Sequence, residues 1–132
     1  IGFVLTQTNE KIATVHYVEG DCFIKNNRFN IQFKKVLPGR SIYSNDIIKV
    51  KNNAFCNIQY LDEKTHINIE SNTSVKLVDK KFSREINIIN GSVYIKNIYN
   101  KDKKAYLITS KNKIFTEKLL ITSLTLISDV SI

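Results

Sequence analysis

The sequence has no methionine and no tryptophan, a single proline, four glycines and two cysteines. So little glycine and proline excludes a collagen-like or linker-like chain, since those two residues dominate such compositions. Cys22 and Cys56 are too few for a disulfide scaffold, and no zinc-ligand spacing occurs. No apolar run reaches the roughly eighteen residues of a membrane-spanning helix. A glycine-rich phosphate loop, a Gly-x-Ser-x-Gly elbow and a His-Glu-x-x-His pair are also missing. His16 and His66 each fall on the polar phase of an apolar alternation. Asp62 and Glu63 are turn neighbours whose side chains diverge instead of sharing a proton. The expectation is a non-enzymatic chain without cofactor, metal or catalytic residue.

What is present is one domain's worth of chain, 132 residues of which 42% are hydrophobic and 24% charged. That length buries a core without staples, and residues 1–132 are expected to form a single unit. The chain opens at Ile1, so a processed or excised product is expected, with any signal peptide or anchor removed. Twenty basic side chains against twelve acidic ones give a net charge of +8. Lysine, asparagine and isoleucine are abundant together while arginine is scarce, the imprint of an A/T-rich genome. The lysines fall in separate polar stretches: Lys34–Lys35, Lys80–Lys81, and Lys101 with Lys103 and Lys104. A phosphate-binding surface wants clustered cations, so a solvated surface is expected, and no specific nucleic acid.

The apolar residues recur with period two. Ala13, Val15 and Tyr17 alternate with polar neighbours, as do Phe29, Ile31 and Phe33, then Ala54, Cys56, Ile58 and Tyr60, then Ile67 and Ile69. Val75 with Leu77, Ile86 with Ile88, and Val93 with Ile95 continue the pattern. Short β-branched runs of this kind read as half-buried strands. The breaks are turn chemistry: Gly20-Asp21, Asn26-Asn27, Pro38-Gly39, Asn52-Asn53, Asp62-Glu63-Lys64, Ser71-Asn72 and Asn90-Gly91. The β-branched content of 114–121 argues against a helix there. An all-β, jelly-roll-like sandwich of short antiparallel strands is expected. Cys22 shares the phase of Ile24, and Cys56 that of Ala54 and Ile58. Both are expected as buried thiols acting as small hydrophobes, with a bridge open to them if their strands face each other.

The order of these segments carries a resemblance. Glu19-Gly20-Asp21-Cys22-Phe23-Ile24 is followed by Val36-Leu37-Pro38-Gly39-Arg40-Ser41-Ile42 and by Asn45-Asp46-Ile47-Ile48. Then come Ala54 to Asp62, Ile67-Asn68-Ile69, Asn72-Thr73-Ser74-Val75, and Ile89-Asn90-Gly91-Ser92-Val93. The series resembles the FecR domain, with its Gly-Asp opening, Pro-Gly strand-turn-strand, Asp-Gly hairpin and Gly-x-Val strand. The likeness is strongest over 11–98, and 99–132 diverges. Gly20, Asp21, Pro38, Gly39, Asp46, Asp62 and Gly91 occupy the turn positions and are read as structural. Where the family has Asp-Gly this chain has Asp62-Glu63, so a longer or more strained turn is expected.

The resemblance implies an exported or periplasmic bacterial protein that binds a protein partner in the cell envelope or assembles with its own copies. The alternative it implies is the signal-receiving periplasmic part of an anti-sigma regulator. Binding of nucleic acid or another polyanion ranks third. Both ends of the chain are nearly bare of charge: none from Ile1 to Thr8, and only Asp129 from Leu119 to Ile132. An uncharged terminal strand is a candidate docking strand, marked by Leu119, Ile121, Leu124 and Leu126, unless it pairs within the domain.

Overall fold

The computed structural model describes residues 10–26, 32–96, 102–109, 113–116 and 124–127. Over these residues the alternating segments form strands. In chain order they are β1 (Lys11–Glu19), β2 (Cys22–Asn26), β3 (Lys34–Lys35), β4 (Ser41–Tyr43), β5 (Asp46–Val50), β6 (Phe55–Tyr60) and β7 (His66–Ile69). They continue as β8 (Thr73–Asp79), β9 (Ser83–Asn90), β10 (Ser92–Lys96), β11 (Lys104–Ile108), β12 (Lys113–Thr116) and β13 (Leu124–Ile127). One sheet has six strands in the order β13-β10-β7-β6-β1-β4, and the other seven in the order β12-β11-β9-β8-β5-β2-β3. The all-β sandwich expected from the sequence is the fold that forms.

Each strand turns one phase inward. Ile48 and Val50 of β5, Val75 and Leu77 of β8, and Ile86 and Ile88 of β9 supply one inner face. Ile58 of β6, Ile67 and Ile69 of β7, and Val93 and Ile95 of β10 supply the other. These side chains are all at or below 1% exposure. Stripping apolar surface from water at about 25 cal/mol per Å² is the force that closes the two sheets.

Two expectations about the strands are corrected. Tyr17 was expected to continue the inward phase of Ala13 and Val15, but it is 49% exposed. A register shift against β6 falls between Val15 and Tyr17, so one extra residue enters the strand and Val18, not Tyr17, packs on the core. The strands were also expected to be antiparallel throughout. β11 instead runs parallel to β9, with Leu107 opposite Ile86. A parallel neighbour needs a long return, and the chain passes through β10 in the other sheet before it comes back. Residues 27–31 lie outside the described set, and with them Phe29 and Ile31, while Phe33 is half-exposed beside β3.

The turn residues act as their chemistry requires. Pro38 and Gly39 form a type II turn in which Arg40 N–H donates to Leu37 C=O at 3.2 Å, with Gly39 at φ +92°. Glu63 carries a φ of +62° at the place where the resembled family has glycine, a strain of about 1 kcal/mol for a residue with a Cβ. Gly91 is the single residue between β9 in one sheet and β10 in the other, at φ +93°. A Cβ there would lie 2.6 Å from Thr73 Cα and 2.7 Å from Thr73 Cβ. The contact is tight because Thr73 is itself bound across the corner, its hydroxyl accepting from Ser92 N–H at 3.0 Å.

Gly39 and Gly91 share a positive φ, yet a Cβ at Gly39 meets nothing within 4 Å. Gly39→Ala should therefore cost only the backbone term, about 1 kcal/mol, while Gly91→Ala adds overpacking and costs about 3 kcal/mol or more. Urea midpoints of the two variants measure the difference; equal losses would show that the Thr73 contact relaxes freely.

Candidate functional site

One buried cation organises one end of the sandwich. Arg84 stands on the inward phase of β9 with Ile86 and Ile88, and is 4% exposed. Its cross-strand partner is Asp79 at the end of β8. Arg84 Nε and Nη2 donate to the two Asp79 carboxylate oxygens, each at 3.2 Å. Nη1 donates to Asp62 Oδ2 at 3.0 Å, and the guanidinium lies over the Tyr60 ring at 3.9 Å. Asp62 Oδ1 also accepts from the Lys64 and Thr65 backbone N–H groups at 2.9 and 3.1 Å. The cluster thus ties the β8–β9 pair of one sheet to the β6–β7 hairpin of the other.

Its electrostatics are nearly self-contained. Burial works against the Arg84 charge, but the Asp79 and Asp62 carboxylates bonded to it outweigh burial and raise the pKa. Burial likewise pushes the Tyr60 phenol far up, so it stays neutral. The Tyr60 hydroxyl is buried with no hydrogen-bond partner among the described residues. A guanidinium held by two carboxylates has no proton to exchange near neutrality, so this arrangement can orient and seal but is not set up as an acid or base.

Outside the cluster lies an open cleft of about 870 Å³, with Glu10, Lys11, Asp79, Lys80, Lys81 and Lys103 among its lining. The lysine stretches were expected to stay apart, and here the fold corrects the reading. Lys80–Lys81 and Lys103 meet because β11 docks beside β9, with Lys104 N–H donating to Phe82 C=O at 2.9 Å. Lys103 donates to the Lys80 carbonyl and stands 3.8 Å from Asp79 Oδ2, and Lys80 lies 3.4 Å from Glu85. The cations are interleaved with carboxylates, so the cleft is a mixed polar surface. The Lys80–Glu85 pair, with its lysine exposed, contributes little to stability.

The residues singled out in the sequence do not converge. Asp21 forms an exposed pair with Lys35 at 3.5 Å. Gly20, the Pro38-Gly39 turn and Gly91 sit at three separate corners, and only Asp62 joins the Arg84 cluster. Leu119 and Ile121 lie outside the described residues. Leu124 and Leu126 belong to β13, opposite Ile95 and Val93 of β10. Arg84 and Asp79 were not singled out. Their signal was a charge on the apolar phase, Arg84 with Ile86 and Asp79 with Leu77. Among the described residues no group of three His, Cys, Asp or Glu side chains is placed to hold a metal ion, and no helix is long and apolar enough to cross a membrane.

Asp46 is buried at the start of β5. It accepts from Asn26 Nδ2 at 2.6 Å and from Tyr43 N–H at 2.8 Å, the backbone capping expected of it. Burial raises its carboxyl above the ordinary aspartate range, outweighing those donors and Arg40. Cys22 and Cys56 are buried free thiols. Comparison with known proteins finds no matching family model, no matching curated protein and no matching solved structure.

Two predictions follow from these buried charges. Arg84→Met removes the buried cation that joins Asp79 to Asp62 and leaves Asp79 with only the longer Lys103 pair, and should cost about 3–5 kcal/mol. Asp62→Asn keeps the Asp79 pair and should cost about 1–2 kcal/mol. Chemical denaturation orders the two, and a milder loss for Arg84→Met would show the cluster to be dispensable. For Asp46, a raised folded pKa means that the folded chain binds the proton more tightly. Its contribution is full below the unfolded pKa and is lost as pH rises through the folded one. Asp46→Asn removes that loss, so the stability of the variant relative to the parent should increase from about pH 4 to pH 7. A pH-independent difference would contradict this.

Proposed function

We propose that this chain is a non-enzymatic, exported β-sandwich module, of the kind its resemblance to the FecR domain implies, and that it works by strand addition. It engages a protein partner of the cell envelope or a further copy of itself at the β13 edge of the six-stranded sheet. The observation that carries this reading is the contrast between sheet edges. β3, at one edge of the seven-stranded sheet, is Lys34–Lys35, both exposed, and so presents charge to any approaching strand. β12, at its other edge, begins with Lys113. The six-stranded sheet has β13 at one edge, Leu-Thr-Leu-Ile without a charge, and at the other the three-residue β4, Ser-Ile-Tyr, too short to pair with much of a partner strand. Among the described residues β13 pairs only with β10. An uncharged edge with open amides and carbonyls is a template for another strand, which natural sheets otherwise guard with lysine, proline or a bulge. Main-chain pairing would supply the affinity and the neighbouring side chains the choice of partner.

The register directs the test. Leu124 and Leu126 are in register with Ile95 and Val93, the inward phase of β10. Thr125 and Ile127 stand opposite Tyr94 and Ser92, the outward phase of β10. Thr125→Lys with Ile127→Lys should abolish concentration-dependent higher-order species in light scattering while the β circular-dichroism spectrum persists. A parent chain that stays monomeric at every concentration, or a double variant that still associates, would refute self-assembly through β13.

A further inference from the structure

We propose that Cys22 and Cys56 form a disulfide that bolts the two sheets together through the core. Cys22 opens β2 in the seven-stranded sheet, and Cys56 lies in β6 of the six-stranded sheet. Both are at 0% exposure. The corners that lead into these strands touch: a Cβ on Gly20 would lie 3.0 Å from Ala54 Cβ and 3.1 Å from Ala54 Cα. Each cysteine is two residues beyond that contact, Cys22 after Gly20 and Cys56 after Ala54. A two-residue step in a strand returns to the same face, so both thiols enter the interior side by side. The Cys22 thiol donates to the Phe55 carbonyl at 3.5 Å, one residue before Cys56. The two thiols lie close enough for each to bear on the other's ionisation.

The chemistry is thiol–disulfide exchange with an oxidised partner such as glutathione disulfide. One cysteine, as thiolate, attacks the oxidant and forms a mixed disulfide with release of one thiol. The second cysteine then displaces the other half as a thiol, giving the internal S–S bond. Two protons and two electrons leave the protein, and one oxidant disulfide is reduced to two thiols. Burial holds both thiols protonated, pushing Cys56 up to about 12. Exchange therefore proceeds when the corner opens, either during folding or in local fluctuation. Once made, the bond closes the loop from residue 22 to residue 56 around β3, β4 and β5, and so restricts the unfolded chain. This inference does not depend on strand addition at β13.

The test equilibrates the native protein with a mixture of reduced and oxidised glutathione at a urea concentration below the unfolding midpoint. The product is then unfolded in guanidinium with a maleimide, with and without prior reduction, and weighed. The expected result is no label and a mass lower by two hydrogens before reduction, and two labels after it. The urea midpoint of the bridged protein should lie higher than that of the reduced protein by on the order of 1–2 M. Cys22→Ser, with one thiol left, should label once in both arms and show no midpoint change on reduction. Two labelled thiols in the equilibrated parent chain, a glutathione adduct that never resolves, or a bond found only between chains would each overturn the proposal.

Discussion

Every passage of this chain from one sheet to the other must return an inward side chain to the shared interior, and the fold depends on corners short enough to keep that phase. Gly91 is the tightest of them. Ile88 faces inward before it and Val93 after it, and the single intervening glycine lies where a Cβ would overlap Thr73. Gly20 does the same between β1 and β2, where its positive φ brings the backbone against Ala54. Asn45, Asn53 and Asn72 take positive φ at three further corners, as asparagine does with less penalty than most residues. Once the corners are made, alternation places the isoleucines and valines of both sheets in one interior.

The two ends of the sandwich are finished differently. At one end Arg84 replaces apolar packing by a guanidinium satisfied on all sides, which orients Asp79 and the Asp62 hairpin as a unit. Such a buried pair gains little over hydrophobic residues in stability, but it penalises any arrangement that separates the partners. The Asp62 turn shows the consequence. Glu63 is held in a left-handed conformation because Asp62 must present one oxygen to backbone amides and the other to Arg84. Where the Gly20 and Ala54 corners meet, the interior is closed by sulfur instead, with Cys22 and Cys56 beside each other.

The edges of the sheets carry the functional reading. Lysines at β3 cover one edge with charge, whereas β13 presents none, and that asymmetry is what supports binding by strand addition. The cleft beside Arg84 is a weaker candidate surface because two of its lysines, Lys80 and Lys103, are already engaged by Glu85 and Asp79.

Much of the fold was legible in the sequence by itself. Period-two runs of β-branched residues, broken by Asn, Gly and Pro-Gly, determined a two-sheeted all-β domain, since alternation has only one inward face to offer. Pro38-Gly39, Gly91 and Asp46 were legible because each needs a local conformation or a local cap that its own side chain specifies. The phase of Cys22 and Cys56 was legible too, but whether they meet was not, because that depends on which corners touch. Arg84 is the clearest case of what only the tertiary structure decided: its partners come from β8, from the β6–β7 turn and from β6, and no spacing in the chain announces them. The bulge that turns Tyr17 outward, the parallel pairing of β11 with β9, and the meeting of Lys80, Lys81 and Lys103 belong to the same class. Local patterns determine which face of a strand is apolar, whereas neighbours in a sheet are chosen by long-range packing between segments far apart in sequence.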